Sequence, residues 1–113
     1  MTWQDVLDKI RKGLNDPSKE RWTDSDLIQR VNVTRNELWS SHPEAFYVAS
    51  VVSSLPNDPD DQAFAVAIDF LPTWVDAIAC HVLWQCYIDD SDERQNVALS
   101  DRYFAVWSKK VGV

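Results

Sequence analysis

Between Leu71 and Asp89 the chain is apolar at nearly every position, and the polar residues Thr73, Asp76, His81, Gln85 and Asp89 recur every three to five positions. On a helix these five trace one narrow, drifting stripe, and apolar side chains fill the rest of the circumference. A helix that is hydrophobic almost all round is buried by neighbours or spans a membrane. The stretch is short for spanning, and it carries an acid, an imidazole and an amide along its length. Pro72 suits the first helical position, where a missing N–H costs nothing. The pattern therefore predicts a central helix over 72–89 around which the other segments pack.

Three further helices follow from the same periodicity. Trp3, Val6, Leu7, Ile10 and Leu14 form one stripe; Thr2 stands as N-cap with Asp5 three residues on, and Gly13 and Asn15-Asp16-Pro17 end the run, giving a helix over 3–13. A polar connection over Ser18 to Trp22 leads to Thr23, a cap with Asp24 and Asp26 in the first turn, and a second helix over 24–40 stops before His42-Pro43. Its apolar arc is Leu27, Ile28, Val31, Leu38 and Trp39, with Arg35 near the middle and Asn32 at the edge. An arginine there either snorkels its head to water, sits in an ion pair within the chain, or meets another subunit. The last helix, over 91–110, begins with acids and ends at Lys109-Lys110, as its dipole prefers, and sets Val97, Tyr103, Phe104, Trp107 and Val111 on one side.

Between the second and third helices the period changes. Over 45–70, YVASVVSSL and AFAVAIDFL are β-branched or aromatic runs with partial alternation, separated by Pro56-Asn57-Asp58-Pro59-Asp60-Asp61. This predicts a β-hairpin with a long acidic tip, or an extended excursion. A lone two-stranded hairpin is marginal in water and needs a surface to lie on, which another chain could supply. The expected fold is mainly α: a small four-helix bundle-like domain over 1–113, with a β-hairpin or extended insertion between its second and third helices.

Composition narrows the function. A net charge of −7 on 113 residues is the wrong sign for gripping nucleic acid or an anionic membrane surface, both of which need clustered Lys and Arg. Six Trp are many for this length, and large aromatics dominate cores and protein–protein interfaces alike. The start MTWQDVLDKIRK lacks the apolar run of a signal peptide, so nothing in it points to secretion. Cys80 and Cys86 point to different sides of one helix and are expected to remain two free thiols in a reducing compartment.

No motif carries chemistry. With glycine only at positions 13 and 112, a phosphate-cradling loop is absent. The acidic tip fails as a calcium loop, because counting from Asp58 the obligatory glycine and glutamate positions hold Ala63 and Asp69. Cys80, His81, Cys86 and His42 are zinc-ligand types without zinc-ligand spacing. Neither histidine sits in a nucleophile motif. The expectation is no catalytic site, no cofactor and no metal.

Two stretches, Glu20–Phe46 and Leu71–Trp107, resemble the small head–tail adaptor (connector) proteins of tailed bacteriophages. Trp22, Asp24, Leu27 and Asn32 match a W-x-D-x-x-L-x-x-x-x-N helix start, and Leu71, Pro72, Leu83, Tyr87 and Asp90 match the family's later helix. The chain departs from the pattern at Gln85, where an arginine-like residue is usual, and at Cys80, commonly acidic, so no ion pair is carried over to them. The resemblance implies a structural virion protein without enzymatic activity. It would form a homo-oligomeric ring, twelve-fold on the portal protein, in the virion neck after assembly in the host cytoplasm. A tail or stopper protein would dock below, and genome DNA would pass through without sequence-specific binding; no membrane is involved. An acidic lumen, which repels phosphates, agrees with that role. The alternative reading is a small soluble helical regulator or protein-interaction module. Under either reading the functional residues are interface candidates: Trp22, Asn32, Arg35 and Trp39 on the second helix, Tyr47, Val51, Phe64 and Phe70 in the excursion, and Trp107 on the last helix.

Overall fold

A computed structural model describes residues 1–14, 22–56, 64, 66–89 and 94–112. The expected stop at Asn15-Asp16-Pro17, the connection over 18–21, the acidic tip over 57–61, and Asp90 with the acidic turn around it lie outside the described residues. Among those described, four α-helices carry the architecture: α1 (Trp3–Leu14), α2 (Asp24–Ser41), α3 (Val75–Asp89) and α4 (Arg94–Val111).

Helix α3 is the hub, packing against α1, α2 and α4. Its buried set, including Val75, Ala77, Ile78, Ala79, His81, Val82, Leu83 and Cys86, covers most of its circumference, as its near-continuous apolar run requires. Pro72 opens a single 3-10 turn, Pro72–Trp74, that feeds directly into the helix. The Cα positions span 43 × 33 × 17 Å. The short dimension holds about two layers of helix, so little of any element lies far from the surface.

The capping signals are realised as read. Asp5 Oδ2 accepts from the Thr2 N–H at 2.9 Å while Thr2 Oγ1 accepts from the Asp5 N–H at 3.4 Å, a reciprocal box at the start of α1. Thr23 Oγ1 accepts from the Asp26 N–H at 3.1 Å at the start of α2. Helix α2 ends at His42, whose N–H reaches the Leu38 carbonyl at 2.7 Å, and Pro43 forces the chain into a 3-10 turn over Pro43–Phe46. At the close of α4, Gly112 takes φ +81°, the left-handed conformation glycine tolerates, and its N–H returns to the Ser108 carbonyl at 2.9 Å.

Of the insertion, residues 45–56, 64 and 66–70 are described. Its second run lies along the start of α1. The Trp3 and Gln4 N–H groups, left over at a helix N-terminus, donate to the Val66 and Phe64 carbonyls at 3.1 and 2.9 Å, and the Ile68 N–H donates to the Met1 carbonyl at 3.2 Å. A lone antiparallel bridge joins Thr2 to Ala67. Among the described residues no hairpin ladder joins the two runs of 45–70: the second run's pairing capacity is committed to α1, a partner the sequence pattern did not indicate. The two ends of the insertion are joined where the Leu71 N–H donates to the Ala45 carbonyl at 2.7 Å. Phe46 and Phe70 then close on Trp39 and Trp3 in edge-on aromatic contacts at 5.7–6.4 Å.

The apolar side expected for α4 is split. Trp107 and Val111 are buried, Tyr103 is partly buried and stacked on Tyr87, but Val97 and Phe104 face out. The helix touches the rest of the chain along a narrow line that includes the small, buried Ser100.

Candidate functional site

The polar stripe of α3 does two different jobs. Asp76 pairs with Lys9 of α1 and Asp89 with Arg30 of α2, both at the surface. His81 and Gln85 instead turn inward against α2. His81 Nδ1 lies 2.7 Å from Thr34 Oγ1 and 3.1 Å from Gln85 Nε2, while Gln85 Nε2 also donates to Thr34 Oγ1 at 3.0 Å and to the Arg30 carbonyl at 3.2 Å. The donors around Nδ1 make it an acceptor, which puts the ring proton on Nε2. Nε2 is 2.7 Å from Glu37 Oε2 but off the direction of a good hydrogen bond, so that contact is chiefly Coulombic. Burial pushes the imidazole below its ordinary pKa, and the nearby Glu37 carboxylate only partly offsets it.

Hydroxyl, imidazole and carboxylate here stand in the order of a nucleophile, a base and an orienting acid. Thr34, however, is fully buried, and its hydroxyl also lies 3.1 Å from the Arg30 carbonyl within α2. Nothing can approach its oxygen along an attack line, so the group serves as a polar rivet between α2 and α3. The same imidazole continues into a row of rings: Trp107 at 4.5 Å, Trp84 at 5.0 Å on the other side, and Phe104 at 4.8 Å beyond Trp84. The row runs from the core to the exposed face of α4.

The second histidine works oppositely. His42 Nε2 donates to the Val111 carbonyl at 2.8 Å, and Nδ1 lies 3.0 Å from Glu44 Oε1, so the ring bridges the end of α2 to the end of α4. Accepting groups on both sides favour the imidazolium and raise its pKa, the Val111 carbonyl most of all.

Arg35 settles which of its expected environments is real. It is fully buried, with the guanidinium paired to Asp69 through two nitrogens. It also donates to Asn32 Oδ1 at 3.2 Å and to the Pro56 carbonyl at 3.0 Å, and packs over the Trp3 and Phe46 rings at 5.6 and 6.0 Å. It is an internal clamp that fastens both runs of the insertion to α2, and it presents no surface to another subunit.

The other interface candidates divide along similar lines. Phe70 and Trp107 belong to the core of the chain itself. Asn32 is half-buried and serves Arg35. Trp22, Trp39 and Phe64 are partly buried against the core, Trp22 beneath the Arg30 guanidinium at 5.0 Å, and Tyr47 is half-buried. Val51 alone of the nine is fully in the open, 76% exposed. Exposed apolar side chains also stand at Val48 and Val66 in the insertion, Val33 on α2, and Val97, Phe104 and Val106 on α4, with Phe104 38% exposed.

Sequence reasoning placed His81 in the polar stripe of the central helix and weighed it for metal and nucleophile chemistry, and Asp69 for a calcium loop, without pairing either with α2. The signal for their true roles was phase: Thr34 lies one turn after the arc residue Val31, and His81 and Gln85 one turn apart, so two polar pairs occupy otherwise buried faces. A buried polar pair on one helix requires another to satisfy it.

Among the described residues no cluster of His, Cys, Asp and Glu could hold a metal ion, and no helix is long and apolar enough to cross a membrane. Cys86 is buried, its thiol pushed up to about 12 by desolvation, and Cys80, half-buried, is raised as well. The described residues line two surface clefts of note. One of about 330 Å³ lies between α1, α3 and α4, and a smaller one of about 270 Å³ is lined by Asp26, Gln29, Arg30, Val33 and Gln85. Compared with known proteins, the chain matches no family model, no curated protein and no solved structure.

Proposed function

We propose that the chain is a non-catalytic structural subunit that assembles with copies of itself into a ring, as an adaptor between a phage portal and the tail or stopper below it. The observation that carries this reading is the apolar surface left over once the bundle has closed. Val51 in the insertion and Phe104 with Val97 on α4 stand in water on two different elements of a thin molecule. Rings form from heterologous contacts, in which one patch of a subunit meets a different patch of the next, and two unlike patches meet that requirement. The resemblance of Trp22–Asn32 and Leu71–Tyr87 to head–tail adaptors supplies the portal as template. The exposed acids Asp5, Asp8, Asp26, Glu37, Asp89 and Asp101 supply a surface past which a phosphate backbone slides without adhering. On this reading the insertion's first run, unpaired in the isolated chain among the described residues, completes a strand pairing in the assembly.

Light scattering on the chain alone and on the chain mixed with a portal ring tests the proposal. A discrete high-order ring, or stoichiometric binding to the portal, is expected. Val51→Asp and Val97→Asp should each abolish assembly while leaving the helical circular dichroism and urea midpoint unchanged. A strict monomer indifferent to portal rings overturns the proposal and favours a small helical regulator.

A further inference from the structure

The cleft between α1, α3 and α4 is mainly apolar. Its walls are Ala79 and Leu83 of α3, Gly13 of α1 and the ring of Tyr103 on α4, with Cys80 beside them. Charge enters only at the mouth. Lys9 and Asp76 pair with each other there and cancel, leaving Lys12, which is exposed and makes no ion pair among the described residues. On a chain of net charge −7 this is an apolar hollow under a cation that has no ion-pair partner among the described residues. Gly13 is part of the construction: a Cβ there would stand 2.7 Å from Leu83 Cδ1 and push that side chain out of place. Tyr87 holds the same turn of α1 by donating to the Gly13 carbonyl at 2.8 Å. The volume of about 330 Å³ is at the small end for ligand pockets and suits one large side chain.

From this geometry we infer that the cleft is a docking socket for a partner protein's aromatic or branched aliphatic side chain that has a carboxylate residue next to it in sequence. The apolar group fills the hollow over Ala79 and Leu83, and the acid meets the Lys12 ammonium at the rim. The inference is independent of ring assembly: a chain that never oligomerises could hold such a socket, and a ring-former could lack it.

The test is an amide NMR titration of the full chain with four small probes: capped phenylalanyl-aspartate, phenylalanyl-asparagine, glycyl-aspartate, and 3-phenylpropionate. Phenylalanyl-aspartate should shift the Gly13, Ala79 and Cys80 amides at millimolar concentration and bind about fivefold more tightly than the asparagine analogue, the value of one charge contact in water. The preference should shrink as salt is added. Glycyl-aspartate should leave these amides unmoved. Lys12→Glu, a surface change, should abolish the preference for aspartate, and Lys109→Glu, an identical charge change outside the cleft, should keep it. Equal binding of the aspartate and asparagine probes, or shifts centred elsewhere, overturns the inference. Binding of 3-phenylpropionate with none of phenylalanyl-aspartate also overturns it, since that pattern marks a small organic acid site that a polypeptide cannot enter.

Discussion

Removing the Asp69 carboxylate should be the most damaging single change to the insertion. Arg35 is fully buried, and four of its contacts are to oxygens, two of them on Asp69. Truncation to Ala removes both carboxylate contacts from a guanidinium that stays in the core beside the neutral Asn32 and Pro56 oxygens. Breaking a buried pair from one side costs about 3–5 kcal/mol. Because the Asp69 side chain keeps 20% of its surface in water, some solvent can follow it out, and the lower end, about 3 kcal/mol, is expected for Asp69→Ala. Arg35→Met should cost less, about 1–2 kcal/mol, because it leaves a partly hydrated acid and keeps an apolar stem over Trp3 and Phe46. The double variant should be milder than the sum of the singles. Urea unfolding followed by tryptophan fluorescence reads the effect. With a slope of about 1–3 kcal/mol per molar, Asp69→Ala should lower the midpoint by at least about 1 M. Amides over 66–70 should also lose hydrogen-exchange protection before those of α3. A midpoint shift within error for Asp69→Ala, or a larger loss for Arg35→Met, would refute the clamp.

The two histidines should give opposite limbs to the pH dependence of stability. His81, depressed on folding, contributes stability above its unfolded value near 6.5 that is lost as pH falls toward its folded value; NMR titration of its ring should show the low midpoint, and His81→Gln should flatten the acid side of the profile. His42, raised on folding, contributes stability below its unfolded value that is lost as pH rises through the folded one, so His42→Gln should flatten the opposite side and increase exchange at the end of α4. Gly13→Ala should gain from helix propensity but lose more by displacing Leu83, for a net destabilisation of about 1 kcal/mol in urea melts; any stabilisation would mean that the α1–α3 crossing has slack. Thr23→Ala should cost about 1 kcal/mol with Thr23→Gly costing only a few tenths, as the loss of a side-chain cap predicts.

What the sequence alone determined was everything that depends on near neighbours along the chain. The 3.6-residue spacing of Trp3, Val6, Leu7 and Ile10, the caps at Thr2 and Thr23, and Pro43 after His42 are local devices that place helix boundaries within a residue or two. Pro72 instead opens a 3-10 turn, and the α-helix begins three residues on, at Val75. The all-round apolar surface of 71–89 likewise required a hub position, because a helix with no polar face must be enclosed. Tertiary structure decided which distant groups satisfy one another. Arg35 could have faced water, an internal acid or another subunit, and only the return of the chain at Asp69 made it a core clamp. The β-like run ending at Phe70 was legible as extended, but its hydrogen bonds went to α1, because unfilled N–H groups at a helix start compete with a second strand for the same carbonyls. On α4 the periodicity could not say how wide a stripe its neighbours would cover. The thinness of the molecule left Phe104 and Val97 outside.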